Sequence, residues 1–373
     1  MLENPFITYG YESAEYFCDR EEETQQLISL LTNGNHTALI SPRRMGKTGL
    51  LQHCFAQPEL NGPYHTFLID IYATKNLQDM VYQMGHSIVR RLKSRGRAAL
   101  DTFLQVVTSL RTGISFDGMG NASWNVDVGD IKSPTFTLEE IFHYLQSADR
   151  RCIVAIDEFQ TISEYPETNV EAMIRTYVQQ CRNTVFVFSG SQQSMMSEMF
   201  SSPARPFYQS ASLMSLKPVA LDKYKAFAQK HFKAGGKEIE DGAVKTIYEH
   251  FDGTTWYIQR MLNQLYSTTP VQGVVTFTDV DKAETQIIHQ NEEAYKDILF
   301  QLTTKQRDLF LAISKEGKAQ RITSSTFIKR HHLPSASSVQ KAAASLINKQ
   351  LLTQRQGTWE VYDKFFSIWL RQN

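Results

Sequence analysis

Residues 40–51 read "ISPRRMGKTGLL" and place Gly46, Lys47 and Thr48 as a phosphate-binding loop requires. That loop has the spacing Gly, four residues, Gly-Lys-Ser/Thr. Its first glycine is replaced here by Ser41, and Pro42 follows. The first glycine chiefly lets the chain leave a strand at a tight angle. Phosphate oxygens are held by later backbone N–H groups, by the helix N-terminus and by the lysine. Those groups remain, in Arg43, Arg44, Met45, Gly46, Lys47, Thr48 and Gly49. Pro42 lacks an N–H but lies at the start of the loop. Losing the glycine weakens the match more than the mechanism.

A second carrier follows about 110 residues after Lys47, where the apolar run "IVAIDEFQ" ends in Asp157 and Glu158. Enzymes that act on nucleoside triphosphates place Mg²⁺ with an aspartate at the end of such a strand. The adjacent Glu158 can orient and deprotonate an attacking water, which favours hydrolysis over transfer. Taken singly, Gly-Lys-Thr is compatible with chance and the acidic pair with a solvated strand end. Together they point to a nucleoside triphosphate site.

The elements that must position these residues are legible in the pattern of apolar residues. "DREEETQQLISLL" reads as a helix with an acidic first turn that complements its dipole. "TALIS" reads as a buried strand running into the loop, and "KTGLLQHCFA" as the helix after it. "YHTFLIDIYA", "RCIVAIDEFQ" and "TVFVFSGS" are further strands, with helices at "NLQDMVYQMGHSIVRRL" and "TLEEIFHYLQSA". Residues 113–130 turn and alternate like an inserted hairpin. Strands alternating with helices predict a parallel sheet covered on both faces. After about Ser215 the chain reads as helical. From Thr303 three short helices precede a ribbon with Gly357 at its tip, a winged-helix pattern.

The stretches "SPRRMGKTGLL", "IVAIDEFQ", "YFCDREEETQQL" and "VYDKFFSIWL" together resemble the archaeal-type ATPase family, a branch of P-loop ATPases also common in bacteria. The resemblance covers most of the chain, least securely residues 90–130. It implies an α/β fold: a P-loop NTPase αβα sandwich (1–214), a helical lid (215–302) and a C-terminal winged helix (303–373). It also implies ATP and Mg²⁺ as cofactors. Lys47 would grip the β- and γ-phosphates, Thr48 and Asp157 would hold Mg²⁺, and Glu158 would activate water. Phe17, Arg20, Glu23 and Leu27 match the family's N-terminal pattern and would border the adenine. Ser191, in "FSGSQQ", would sense the γ-phosphate; its plain alternative is a strand-capping serine.

Two departures from the family pattern imply slow or partner-dependent hydrolysis. Gln209 stands where relatives often carry arginine, and Arg205, one turn away, reads better as a surface residue. The lid segment "FDGTTWYIQR" lacks the usual proline; Arg260 is its candidate for reaching the nucleotide. Arg43 and Arg44 cannot be told apart as a phosphate contact and a solvent-facing ion pair. His331 and His332 read as a solvated helix end with no acidic partner nearby in sequence.

The chain has 373 residues and no net charge, so composition as a whole gives no reason to expect polyanion binding. From Thr303 onward twelve lysines and arginines face four acidic residues, leaving that segment at +8 and the rest at −8. This asymmetry marks a basic surface. Its candidate contacts are Lys329, Arg330, Lys341, Lys349 and Arg355. Duplex DNA is one candidate partner. However, the presumed recognition helix "SSVQKAAASLINKQ" offers few base-reading side chains. A protein, or the chain's own ATPase core, is the favoured partner for the winged helix. The four scattered cysteines predict reduced, packed thiols. With no basic-apolar leader and no long apolar run, the expectation is a cytoplasmic protein without a membrane partner. Oligomerisation is left open.

The leading reading is a Mg²⁺-dependent ATPase acting as a nucleotide-driven switch with a winged-helix output domain. The alternative is a DNA-binding regulator in which ATP is only a ligand. Transfer of phosphate to a small molecule is disfavoured by Glu158. The guanine-reading Asn-Lys-x-Asp motif is absent, which favours adenine indirectly.

Overall fold

A computed structural model describes residues 3–94, 96–116, 122–355 and 357–373. The chain forms two compact units: residues 5–227 with 253–259, and residues 3–4 with 228–252 and 260–373.

The first unit is built on five parallel strands: β1 Thr37–Ile40, β2 His65–Asp70, β3 Cys152–Asp157, β4 Thr184–Gly190 and β5 Ser212–Met214. Their order is β2-β3-β4-β1-β5, every neighbouring pair parallel. Such strands are buried on both faces, which is why they read as continuous apolar runs. Alternate residues serve opposite cores. Ala38, Ile40, Phe67, Ile69, Val154, Ile156, Phe186 and Phe188 pack on one side. There they meet helices that include Leu77–Lys93 and Pro134–Ser147. Leu39, Ile153, Ala155, Val185 and Val187 pack on the other side, against helices α1 (Glu21–Thr32) and α2 (Lys47–Ala56). The result is the expected αβα sandwich.

The short edge strand β5 was not foreseen. Three residues are too few to show a period, and its Leu213 is 55% exposed. The inserted hairpin is present as Ile114–Phe116 paired antiparallel with Ala122–Trp124. Its tip, residues 117–121, lies outside the described residues. All four cysteines are buried free thiols. Burial pushes the thiols of Cys18, Cys54 and Cys152 up to about 12, so they stay protonated.

The second unit holds the helix Phe277–Phe300 and a winged helix. The latter comprises helices Thr304–Glu316, Ser325–Arg330 and Ala336–Asn348, then a ribbon of Leu352–Arg355 and Thr358–Val361. Thr303, Ser324 and Ser335 cap the three helices through their side chains. Ala319–Gln320 adds a third strand beside Thr358–Val361. A closing helix, Lys364–Gln372, buries Phe365, Phe366, Ile368, Trp369 and Leu370. The alanines of Ala336–Asn348 are divided: Ala342 and Ala343 are buried, while Gln340, Lys341, Ala344, Ile347 and Asn348 face outward. Among the described residues no helix is long and apolar enough to cross a membrane.

Candidate nucleotide site

The site forms where β1, β3 and β4 end, outside their carboxyl ends, which is where open α/β sheets bind ligands. Ser41 continues β1 by one residue: its N–H donates to the Gly190 carbonyl at 3.2 Å. Its hydroxyl donates to the Leu216 carbonyl at 3.4 Å, fully buried. Ser41 has no positive φ; the left-handed turns come later, at Arg44 (φ 70) and Gly46 (φ 90). A glycine is therefore not needed where the loop begins. It is needed at Gly46, the residue immediately before α2.

Lys47 lies at the first position of α2 with its side chain turned back over the loop. Its ammonium donates to the carbonyls of Ser41 (2.9 Å) and Pro42 (3.3 Å) and is 6% exposed. Burial lowers its pKa, opposed by the charges of Glu158 and Asp157 and reinforced by Arg43. Thr48 Oγ1 donates to Asp157 Oδ2 at 2.6 Å. The other oxygen, Asp157 Oδ1, accepts the Glu158 N–H at 3.1 Å. Glu158 Oε2 accepts from Ser191 Oγ at 2.6 Å. Because β4 lies between β1 and β3, Ser191 reaches across to the carboxylate of Glu158, which follows β3. Ser191 is thus bound to Glu158 rather than capping a strand in isolation.

The loop is braced from outside. Arg43 stacks over the Tyr72 ring at 4.6 Å, and Arg44 over Trp256 (4.3 Å) and Tyr257 (4.8 Å). Arg44 also donates to the Tyr257 hydroxyl. The Trp256 N–H donates to the Arg44 carbonyl at 3.0 Å, and the Thr255 hydroxyl to that of Met45 at 3.4 Å. Arg20 is 3% exposed, and its guanidinium donates to the carbonyls of Met45 (3.1 Å) and Lys217 (2.6 Å) and to Glu23 (2.5 Å). Arg20 therefore holds the loop's shape. Phe17 stacks on His53 with centroids 4.6 Å apart. Leu27 is fully buried in the core beside α2.

Two residues at the site were missed in the sequence. Asp70 ends β2 in register with Asp157. Burial raises the pKa of its carboxyl, and Asp157 and Glu158 raise it further, against the Tyr72 N–H and Arg43. The signal was there: "YHTFLID" is an apolar strand ending in a carboxylate, as "IVAID" is. Gln160, the last letter of "IDEFQ", donates to Glu158 Oε2 at 2.6 Å.

Three peripheral residues are held by polar partners. Arg205 is not a plain surface residue: it pairs with Glu171 at 2.5 Å and Glu198 at 3.4 Å. Arg260 donates to Gln290 at 2.8 Å. His331 has an acidic partner after all, Glu316 at 2.9 Å, which Arg330 also meets at 2.7 Å. No group of three or more metal-ligating His, Cys, Asp or Glu occurs among the described residues.

Comparison with curated proteins gives no match. Among solved structures, the Walker-type ATPase paby2304 of Pyrococcus abyssi superposes with a TM-score of 0.65 at 18% identity, covering 98% of this chain and 99% of that one. The ORC2 protein of Aeropyrum pernix gives 0.61 at 13% identity, covering 99% and 95%. At these identities the likeness shows the fold. Residues 293–372 match a family described as "Probable winged helix domain". Residues 17–261 match the family described as "ATPase domain predominantly from Archaea". That match spans well over half of the sequence and takes in the loop, the Asp157–Glu158 pair and Ser191, so the chain belongs to this ATPase family.

Proposed function

We propose that the protein binds ATP with Mg²⁺ and hydrolyses it, using the cycle as a switch whose output is the winged helix. The observation that carries this reading is the hydrogen bond from Thr48 to Asp157, which puts a hydroxyl and a carboxylate side by side one residue from Lys47. Mg²⁺ is a hard cation that takes one or two protein oxygens and fills its remaining positions with phosphates and water. The donor set fits: Thr48 Oγ1 and Asp157 would hold the ion. Bound there, it would neutralise charge on the β- and γ-phosphate oxygens.

Lys47 would leave the Ser41 and Pro42 carbonyls for the β- and γ-phosphates. The loop from Ser41 to Gly49 would cradle the phosphates, with Arg43 and Arg44 poised at its rim and Arg20 fixing the Met45 carbonyl. Glu158 would orient the attacking water and take its proton as the water oxygen bonds to the γ-phosphorus. The bond to the β-phosphate oxygen breaks in that step, leaving ADP and phosphate. Ser191, already on Glu158, would register the γ-phosphate. The ORC2 relative was solved in ADPNP–ADP complexes, which supports an adenine nucleotide.

The winged helix reads as a docking surface for a protein partner or the chain's own ATPase core. Arg330 is already paired with Glu316. The outward face of Ala336–Asn348 offers Gln340, Lys341 and Asn348 but no arginine. Turnover of the purified protein with and without duplex DNA, beside Glu158→Gln, tests both halves of the reading. Glu158→Gln should keep ATP bound and stop turnover, because positioning survives and the base does not. Wild-type turnover in that variant excludes Glu158 as the base. Strong stimulation by DNA would favour the DNA-binding reading.

A further inference from the structure

Glu158 has a φ of 57 and opens the short 3-10 turn Phe159–Glu164. A left-handed backbone at a residue with a side chain persists where its surroundings over-determine it. The side chain is over-determined as well. Ser191 Oγ and Gln160 Nε2 both donate to Oε2, each at 2.6 Å. Among the described residues no donor reaches Oε1. One carboxylate oxygen is thus doubly held while the other is left to accept.

Gln160 is 2% exposed, and its orientation is dictated by Glu158. Reversing the amide would set its oxygen against a carboxylate oxygen at hydrogen-bond distance. In the observed orientation its own Oε1 is buried with no partner among the described residues. A buried acceptor left unpaired costs stability, so packing alone does not account for a glutamine here. Room for the amide comes from Gly190. A Cβ on that residue would lie 2.5 Å from Gln160 Oε1 and 2.5 Å from Met196. Since Gly190 has no positive φ, the close approach is what requires glycine.

We propose that Gln160 is a positioning residue for hydrolysis: together with Ser191 it fixes Oε2 of Glu158, so that Oε1 is the oxygen turned to the attacking water. This rests on Glu158 being the base, and the test separates the two claims. Gln160→Met keeps the side chain's length and fills the space beside Met196, but donates nothing. In the full-length protein kcat should fall about tenfold or more, the scale of a mispositioned catalytic group. ATP affinity should stay within about twofold, because the bond removed is to Glu158 and not to a phosphate-holding group of the loop. The Tm should be unchanged or higher, since the orphan oxygen is gone. Added to Glu158→Gln, the substitution should cost nothing more, because residues acting as a unit are not additive. Gln160→Glu, which keeps the shape but sets a second carboxylate against Glu158, should also lower kcat at unchanged ATP affinity.

If Glu158→Gln is inactive while Gln160→Met and Gln160→Glu turn over normally, the proposal fails and Glu158 as base survives. Loss of Tm or ATP affinity in step with kcat would make Gln160 structural and overturn it. A rise in kcat would mean that the amide restrains Glu158, and would overturn it equally. Full turnover by Glu158→Gln would remove the base and the proposal together.

Discussion

Asp70 and Asp157 end neighbouring parallel strands in direct register, so two carboxylates close adjacent strands at the rim of the nucleotide site. Glu158 adds a third, and the pKa of Asp70 is raised by burial and by both of the others. Without a cation, this acidic edge opposes a polyphosphate. Asp70→Asn should therefore tighten metal-free ATP binding severalfold and shrink the gain that Mg²⁺ confers. Calorimetric titrations with Mg²⁺ and with EDTA check this; an unchanged ratio of the two affinities would exclude Asp70 from the site's electrostatics.

Lys47 holds its proton less tightly than an ordinary lysine because it is buried. The ammonium is the form that attracts phosphate, so affinity is full below its depressed pKa and falls as pH rises through it. ATP binding should weaken on the alkaline side at a lower pH than free lysine would dictate. Lys47→Ala should remove binding by about a hundredfold or more, in keeping with the loss of a charge-assisted contact to phosphate. Its circular dichroism should be unaltered, since the ammonium serves the loop and not the core. A pH-independent Kd up to the ordinary lysine range would count against this account.

Glu284, in the helix Phe277–Phe300, has a carboxyl pushed up to about 7 by burial and Asp281, against Arg371. His250 Nε2 lies 3.1 Å from it, and the pKa of its ring is lowered by burial and by Arg371 and Lys364, against Asp281 and Asp252. A folded-state value above the ordinary 4.5 means that the folded form favours the neutral acid. Stability from this group is present at low pH and is lost as pH rises from 4.5 through about 7. Glu284→Gln, permanently neutral, should raise Tm by roughly 2–4 °C at pH 8. Near pH 4.5 it should match the wild type. Thermal melts at the two pH values decide; an equal effect at both would show that ionisation is not involved.

For the winged helix, any affinity for duplex DNA should be carried by phosphates. Lys341 and Arg355 are exposed, and base-reading side chains are few. Reversing both to glutamate should weaken all duplexes alike and reduce the slope of log K against log salt by about 2 or more. Affinity that depends on base sequence would contradict this.

The loop and its carriers were legible because their geometry is local. A strand, a turn and a helix N-terminus are contiguous in the chain, so Lys47 and Thr48 can be recognised from spacing alone. The buried parallel strands were legible for a related reason: both faces are covered, so each reads as an unbroken apolar run. The winged helix followed from three short helices and a ribbon with Gly357 at its turn.

What spacing could not decide was which strand lies beside which. That order depends on pairing between segments far apart in the chain. It placed β4 between β1 and β3, so that Ser191 met Glu158, and it placed β2 beside β3, which made Asp70 part of the site. Arg44 meeting Trp256 and Arg205 meeting Glu171 are contacts of the same kind. So is Gln160: its position in "IDEFQ" was visible, but only the packed turn, with Gly190 leaving room, aimed its amide at Glu158. Residue types and their local order determined which chemistry this chain can carry; long-range strand pairing decided which side chains share it, because register and strand order are settled by burial across the whole sheet rather than by neighbours in sequence.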